Sequence, residues 1–222
     1  MFAEDAFPPA PLDLKITFVA HATLWITYGG TVIHVDPVSE YADYTALPQA
    51  DVILVTHEHS DHLDPAAIGA LRKETTAVIV GSKCVGKVPG AVVLHNGDSR
   101  SVNGIRVEAV PAYNVVHMRS PGTPYHPRGN GNGYVLPLGQ RRVYVAGDTE
   151  NTREMKALKG IDIAFLPMNL PYTMTPEMVF DAAMAFHPKI LYPYHFGDTD
   201  TSKIQSLLAG TKDVEVRIRE MK

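Results

Sequence analysis

Short apolar runs of β-type composition recur along most of the chain. They are rich in Val, Ile, Thr and Tyr and are bounded by Gly, Pro, Asn or Asp. The Gly-Gly pair at 29–30 separates two of these runs and predicts a hairpin turn. The predicted strands cover residues 14–20, 23–28, 31–36, 51–56, 75–81, 91–95, 105–112, 132–138, 141–148, 161–167, 189–195 and 214–219. Because this is too many strands for one small open sheet, the pattern predicts two packed sheets.

Fewer segments predict helices, and two of these have clear start signals. Asp64 and Thr175 each precede a proline, which gives an N-cap followed by a favoured first-turn residue. The predicted helices cover residues 65–73, 151–159, 176–186 and 201–209. Since most of them follow a strand and a short polar loop, we expect an α/β protein with sheets inside and helices outside.

The length and composition favour one domain. A chain of 222 residues with 45% hydrophobic residues can bury one substantial core, so we predict a single domain over 1–222, with 1–13 as an irregular leader. Acidic residues and prolines stand near the start, where a signal peptide would need a basic and then an apolar region. No apolar run reaches the roughly eighteen residues of a membrane span. We therefore predict a soluble, cytoplasmic protein without stable membrane insertion.

Cysteine content and net charge narrow the possible chemistry. The single cysteine, Cys84, excludes a thiolate-rich zinc site within one chain, so any bound metal must use nitrogen and oxygen ligands. A formal charge of −4 and a pI near 6.2 argue against nucleic acid as a partner. A small-molecule substrate fits this balance better, and an oligomer remains possible.

Four residues of metal-binding types follow the predicted strand 51–56. They are His57, His59, Asp61 and His62, within the stretch VTHEHSDHLDP. A loop at the end of a buried strand can direct successive side chains to one point, and imidazole with carboxylate suits Zn, Mn or Fe. The alternative is a histidine-rich surface loop, which would require this spacing to arise by chance.

The stretch THEHSDH resembles the His-x-His-x-Asp-His signature of the metallo-β-lactamase superfamily. The resemblance spans residues 14 to 196 and implies an αββα four-layer sandwich with one or two divalent metals at the sheet edges. It implies that Asp148, in VAGDT, bridges two metals and that His195, in YPYHF, binds the second one. It further implies that Asp36, in HVDP, supports a ligating histidine.

One position departs from that resemblance. The superfamily usually supplies a third histidine to the first metal, whereas the matching stretch VPAYN ends in Asn114. Three alternatives remain open: water completes the site, Asn114 binds through its amide oxygen, or the loop recruits His117 or His126. The predicted ligand set is His57, His59, Asp61, His62, Asn114, Asp148 and His195.

Further residues are candidates for catalysis and substrate binding. The stretch AHATLWI resembles the Gly-His-Ala/Ser opening of a lactonase and phospholipase-like branch of the superfamily, which implies a catalytic His21 near the metals, alongside Asp61. We predict that His117, His126 and Arg128 bind an anionic group of the substrate, with Arg119 as a further candidate. The alternative is that these are solvated loop residues.

These observations favour a metal-dependent hydrolase that cleaves a small-molecule ester, lactone or phosphodiester. Its cofactor would be one or two divalent ions, with Zn favoured and Mn or Fe open. A nuclease-type phosphodiesterase of the same fold and a non-enzymatic metal-binding protein are the alternatives.

Overall fold

The computed structural model describes residues 2–8 and 13–221 and contains two large sheets. Seven strands form each sheet, and a separate two-stranded hairpin lies between two strands of the second sheet in the chain order. The strands of the first sheet, in spatial order, are β1 (Ala3–Phe7), β2 (Leu14–Ala20), β3 (Thr23–Tyr28), β4 (Thr31–Val35), β5 (Ala50–Val55), β6 (Arg72–Val80) and β7 (Val92–Val93).

The second sheet repeats this plan in the second half of the chain. Its strands are β8 (Ser99–Val102), β9 (Ile105–Ala112), β12 (Gly131–Leu138), β13 (Arg141–Val145), β14 (Ile163–Pro167), β15 (Ile190–Tyr194) and β16 (Glu215–Val216), and the separate hairpin is β10 (Met118–Ser120) with β11 (Thr123–Pro124). In each sheet, four strands pair antiparallel and the remaining strands pair parallel. The change from antiparallel to parallel pairing falls at β4 and at β13.

Four helices accompany the strands in the described part of the chain, and side chains of both sheets meet in one core. The helices are α1 (Pro65–Leu71), α2 (Arg153–Lys156), α3 (Pro176–Phe186) and α4 (Ser202–Leu208), and two short 3-10 turns cover Tyr44–Ala46 and Ser82–Cys84. The core joins Ile16 and Leu24 of the first sheet to Leu136 and Phe165 of the second. Helix α1 packs with a second apolar cluster beside β5 and β6. The predicted four-layer αββα sandwich is confirmed.

Parallel strands determine where the loops with polar side chains lie. The carboxyl ends of β4 and β5 meet at one edge of the first sheet, and those of β13, β14 and β15 meet at one edge of the second. Such edges are where ligands collect in α/β proteins. The predicted metal ligands follow these ends, except Asn114, which follows the antiparallel strand β9.

The start of the chain differs from the prediction of an irregular leader. Residues Ala3–Phe7 form β1, which pairs antiparallel with β2, while residues 1 and 9–12 lie outside the described part. Asp5 of β1 binds the guanidinium of Arg219 at 2.7 Å and also contacts the hydroxyl of Tyr192. The sequence AEDAF has too little hydrophobic alternation to predict a strand. The strand forms because pairing with β2 and the contact with Arg219 stabilise it.

Several predicted boundaries also shift. Helix α1 ends at Leu71 because Arg72 already begins β6, and the predicted helix 151–159 is reduced to Arg153–Lys156. Strand β8 and the hairpin β10–β11 have no apolar pattern and were not predicted. Among the described residues, no helix combines the length and apolar character that a bilayer crossing requires.

Candidate metal centre

The histidine-rich loop begins where β5 ends, and a buried aspartate fixes its course. Asp36, which follows β4, accepts hydrogen bonds from the backbone N–H and the hydroxyl of Thr56, both at 2.7 Å. Oδ2 of Asp36 also lies 2.8 Å from Nδ1 of His62, and both residues are fully buried. Asp36 therefore orients the His62 ring, in the position that the resemblance implies for it.

Three histidines form a first group of converging ring nitrogens. They are His57, His59 and His126, whose candidate ligand atoms lie within 4.8 Å of one another. Nε2 of His57 lies 3.1 Å from Nδ1 of His59. Nε2 of His126 lies 3.2 Å from Oδ2 of Asp148. Of the residues that the sequence left open for the third position, His126 is the one whose ring lies in this group.

Asn114 positions His126 and does not join this group. Its Oδ1 accepts the backbone N–H of His126 at 2.7 Å and lies 2.9 Å from Nδ1 of the same ring. Its Nδ2 donates to the backbone oxygen of Tyr172 at 2.8 Å and to Glu150 at 3.1 Å. The amide oxygen of Asn114 is thus directed at His126, so this geometry does not support the prediction that Asn114 is itself a ligand, and it stays a prediction. The signal that was missed lies twelve residues further along, in the stretch HPRG.

A second group contains His21, Asp61, His62 and His195. Oδ2 of Asp61 lies 3.2 Å from Nε2 of His21 and 3.7 Å from Nε2 of both His62 and His195. Asp148 lies beside this group as well, with its oxygens 3.4 Å from Nε2 of His62 and 3.5 Å from Nε2 of His195. One aspartate therefore contacts histidines of both groups.

Two sharp turns bring His21 and His195 together from the two sheets. Both residues have left-handed backbone conformations, with φ of 54° and 46°, which residues other than glycine rarely adopt. The backbone N–H of His195 donates to the backbone oxygen of His21 at 2.9 Å, and the ring centroids are 3.7 Å apart. Strain of this kind persists only where surrounding contacts enforce it, and it concentrates at functional sites.

The carboxylates and His57 have ionisation states that suit cation binding, whereas His62 is protonated without an ion and must lose that proton to bind one. Burial disfavours the charged form of Asp148, but His195 and His62 outweigh it and hold its pKa well below the usual range. Burial, followed by the charge of His62, holds the pKa of His57 well below its usual value. Burial also disfavours the charge of His62, yet Asp148 and Asp36 raise its pKa to about 9. The site thus combines ionised carboxylates with a neutral His57, whose nitrogen lone pair is available.

Several buried polar atoms here have no hydrogen-bond partner in the described part of the chain. They include Nε2 of His62, Oδ1 of Asp148 and both ring nitrogens of His195. Buried polar atoms are normally satisfied, so such a concentration of them requires an explanation. A set of imidazole nitrogens and carboxylate oxygens matches the ligand preference of Zn, Mn or Fe. The residues present fit one or two divalent ions.

The comparison with known families agrees with this geometry. A family model described as the beta-lactamase superfamily domain matches residues 15–195. The chain belongs to the metallo-β-lactamase superfamily. A UPF0173 metal-dependent hydrolase of Thermoplasma acidophilum is 33% identical over 225 residues, covering 94% of this chain and 96% of the relative. The predicted enzyme class, a metal-dependent hydrolase, is confirmed at this coarse level.

Solved structures support the assignment to this superfamily. A Parabacteroides distasonis protein assigned as a metal-dependent hydrolase has 50% sequence identity and a TM-score of 0.94, and the match covers 100% of both chains. CmlA, a diiron β-hydroxylase from Streptomyces venezuelae, matches with a TM-score of 0.72 at 18% identity, over 95% of this chain and 53% of CmlA. The second likeness shows the fold alone.

Both groups of candidate metal ligands border one cavity of about 410 Å³. This volume suits a small molecule, since ligand pockets of that kind span about 300–1,000 Å³. The residues that line the cavity are His21, His59, Ser60, Asp61, Arg119, His126, Asp148, Asn169, Tyr172 and His195.

Two residues predicted to bind substrate do not line this cavity. Nδ1 of His117 lies 2.6 Å from the buried carboxylate of Glu150. Arg128 donates to Glu154 at 2.5 Å, so its charge is already paired. The lining of the cavity therefore does not support the prediction that His117 and Arg128 bind substrate, and it stays a prediction; each side chain is bound to an acid of its own. The third, His126, lines the cavity as a member of the first histidine group.

Proposed function

We propose that this protein is a cytoplasmic hydrolase that cleaves a small-molecule ester, lactone or phosphodiester with the help of one or two divalent ions. One observation carries the proposal. Two groups of metal-binding side chains contact the same aspartate, Asp148, at the floor of a cavity of small-molecule size.

The ligand assignment follows from these two groups. His57, His59 and His126 would hold the first ion, and His62, Asp61 and His195 the second, with Asp148 shared between them. When bound, such ions lower the pKa of water to about 7 and polarise the bond to be cleaved. Zinc fits the nitrogen-rich donor set best, while manganese and iron remain alternatives.

Asp61 is the residue best suited to move a proton. Its side chain is 43% exposed and lines the cavity, whereas the Asp148 side chain is only 4% exposed. Burial disfavours the charge of Asp61, but hydrogen bonds from His195 and His21 outweigh it and lower its pKa, so it can hold a proton only in passing between an attacking water molecule and the leaving group. In this role it touches the reacting atoms directly.

His21 supports Asp61 in this role. Its Nε2 lies 3.2 Å from Oδ2 of Asp61, and its side chain is 15% exposed. His21 can therefore fix the orientation of the carboxylate and conduct a proton between Asp61 and solvent. The buried rings of His57, His62 and His195 exclude water from the other side of the cluster.

Metal analysis and substrate screening test the proposal. Protein purified without added metal should contain one or two equivalents of zinc, manganese or iron by mass spectrometry. It should hydrolyse at least one member of a panel of lactones, carboxylic esters and bis-p-nitrophenyl phosphate.

Matched aspartate variants then test the role of Asp61. Asp61→Asn should lower kcat at least about a hundredfold while metal stays bound at the first site. Asp213→Asn, at an exposed position, is the control and should retain activity. Full turnover in Asp61→Asn would contradict the mechanism. A protein that binds no zinc, manganese or iron when these are supplied, and that cleaves no substrate in their presence, would contradict the proposal as a whole.

A further inference from the structure

Arg119 lines the cavity, and the hairpin that carries it contains none of the predicted metal ligands. It lies in the hairpin β10–β11, where Met118 pairs with Pro124 and Ser120 pairs with Thr123. The register shifts between Met118 and Ser120, so Arg119 is the extra residue of a β-bulge. Bulges occur next to active sites, where they redirect a side chain. Here the bulged residue lines the cavity that also contains Asp61 and Asp148.

One aromatic contact holds the Arg119 side chain, and a second ring supports the first. Its guanidinium carbon lies 5.7 Å from the centroid of the Tyr125 ring, which is within the range of a cation–π contact. The Tyr125 ring in turn packs edge-on against Tyr172, with centroids 5.2 Å apart. Tyr172 also lines the cavity, and its backbone oxygen accepts a hydrogen bond from Asn114. The chain of contacts thus connects Arg119 to the residue that orients His126.

Arg119 has no carboxylate within ion-pair distance among residues 2–8 and 13–221 of the structure. Arg128 makes the informative contrast. Its guanidinium also stacks on a tyrosine, Tyr113 at 5.3 Å, but it is bound to Glu154. A guanidinium that stacks on one aromatic ring, lines a cavity and has no acid partner retains its hydrogen-bonding capacity for carboxylate or phosphate.

We infer that Arg119 is an anion-binding residue of the cavity. The substrate is then a small molecule that carries an anionic group, carboxylate or phosphate, in addition to the bond that is cleaved. This assignment of a substrate class rests on the proposed hydrolase function. The binding of an anion by Arg119 does not, and it can be measured without turnover.

Paired carboxylic acids provide the test. Calorimetric titration of the zinc-loaded protein would compare succinate, glutarate, adipate and pimelate, each with the monocarboxylate of the same chain length. One carboxylate can occupy the metal centre, and the second can reach Arg119 only in the diacid. At least one diacid should bind about tenfold more tightly than its monoacid.

Variants assign that preference to one side chain. Arg119→Gln should abolish the preference, and Arg119→Lys should retain part of it because it keeps the charge but loses the planar fork. Arg141→Gln is the matched control, because Arg141 also stacks on an aromatic ring, Phe7 at 5.6 Å, but does not line the cavity. This control should keep the preference in full.

The outcomes separate the two proposals. Wild-type protein without a preference for any diacid, or Arg119→Gln with an unchanged preference, would overturn the inference. A preference that depends on Arg119 in a protein that cleaves no substrate would support the anion site and count against the hydrolase. For an active enzyme, Arg119→Gln should raise KM for an anionic ester about tenfold and leave KM for its neutral analogue unchanged.

Discussion

Oδ1 of Asn114 accepts the backbone N–H of His126 at 2.7 Å and lies 2.9 Å from Nδ1 of the same residue. An acceptor at Nδ1 favours the tautomer in which Nδ1 carries the proton and Nε2 keeps its lone pair. That Nε2 is the atom near Asp148. Asn114 therefore contributes to the proposed metal site by determining which nitrogen of His126 is available.

Asn114→Ala should weaken zinc binding at the first site about ten- to hundredfold, as loss of a partner that orients a ligand usually does. Without Asn114, His126 loses both the acceptor for its ring and the anchor for its backbone. Competition with a chromogenic chelator measures the change in affinity. Asn151→Ala is the control, since Asn151 bonds only to the exposed Asp181 in the described structure. Zinc affinity equal to that of the control would show that Asn114 does not position a ligand.

Glu150→Gln should loosen the loop that precedes the hairpin. The buried Glu150 carboxylate accepts backbone N–H groups of Val115 and Val116 at 2.6 Å and of His117 at 2.8 Å. A glutamine turns one of its two acceptor oxygens into a donor that faces these N–H groups. We expect a loss of about 2 kcal/mol in the free energy of unfolding.

Hydrogen exchange locates this effect. The amides of Val115, Val116 and His117 should exchange faster in Glu150→Gln than in the wild type, while amides in β2 and β5 should change less. Glu220→Gln, at an exposed position, is the control. Unchanged exchange at residues 115–117 would show that Glu150 does not hold this loop.

The hydrophobic pattern and the histidine spacing predicted most of the fold and much of the site. Four candidate ligands lie within six positions after a buried strand, so the sequence alone predicts that they converge. They are His57, His59, Asp61 and His62. Asp148 and His195 also follow strands of clear pattern. Topology alone brings these strand ends to neighbouring edges.

His126 and Arg119 could not be placed in the same way. Both lie between β9 and β12, where the hairpin β10–β11 has no hydrophobic alternation and its course depends on contacts with Glu150 and Asn114. Since Glu150 lies more than thirty residues away and the Asn114–His126 contact closes a loop without a regular pattern, local patterns cannot determine which side chains of this segment enter the cavity. The same reasoning applies to β1, which depends on Asp5 and its contact with Arg219.

Removal of metal should lower the thermal stability of the protein. Binding at a hundred times Kd stabilises a folded protein by about 2.7 kcal/mol, which for a chain of this size corresponds to about 5–10 °C in Tm. Dialysis against a chelator should produce that decrease, and zinc should reverse it. Magnesium should not, because it prefers oxygen ligands and most of the donors here are nitrogens. An unchanged Tm after measured loss of bound metal would contradict this expectation.

The pH dependence of stability should contain a contribution from His34, which is remote from the cavity lining. Burial lowers the pKa of His34 to about 4. Its Nε2 lies 3.0 Å from the backbone oxygen of Pro48. Its Nδ1 is buried and has no hydrogen-bond partner among the described residues that could accept a second proton. Below the pKa of the unfolded chain, about 6.5, the unfolded state binds a proton that the folded state does not, so stability falls as the pH decreases. Between pH 7 and pH 5 the wild type should therefore lose about 2 kcal/mol more than His34→Gln, which does not titrate. Urea unfolding of both proteins at the two pH values measures the difference, and parallel losses would show that His34 is protonated equally in the folded and unfolded states.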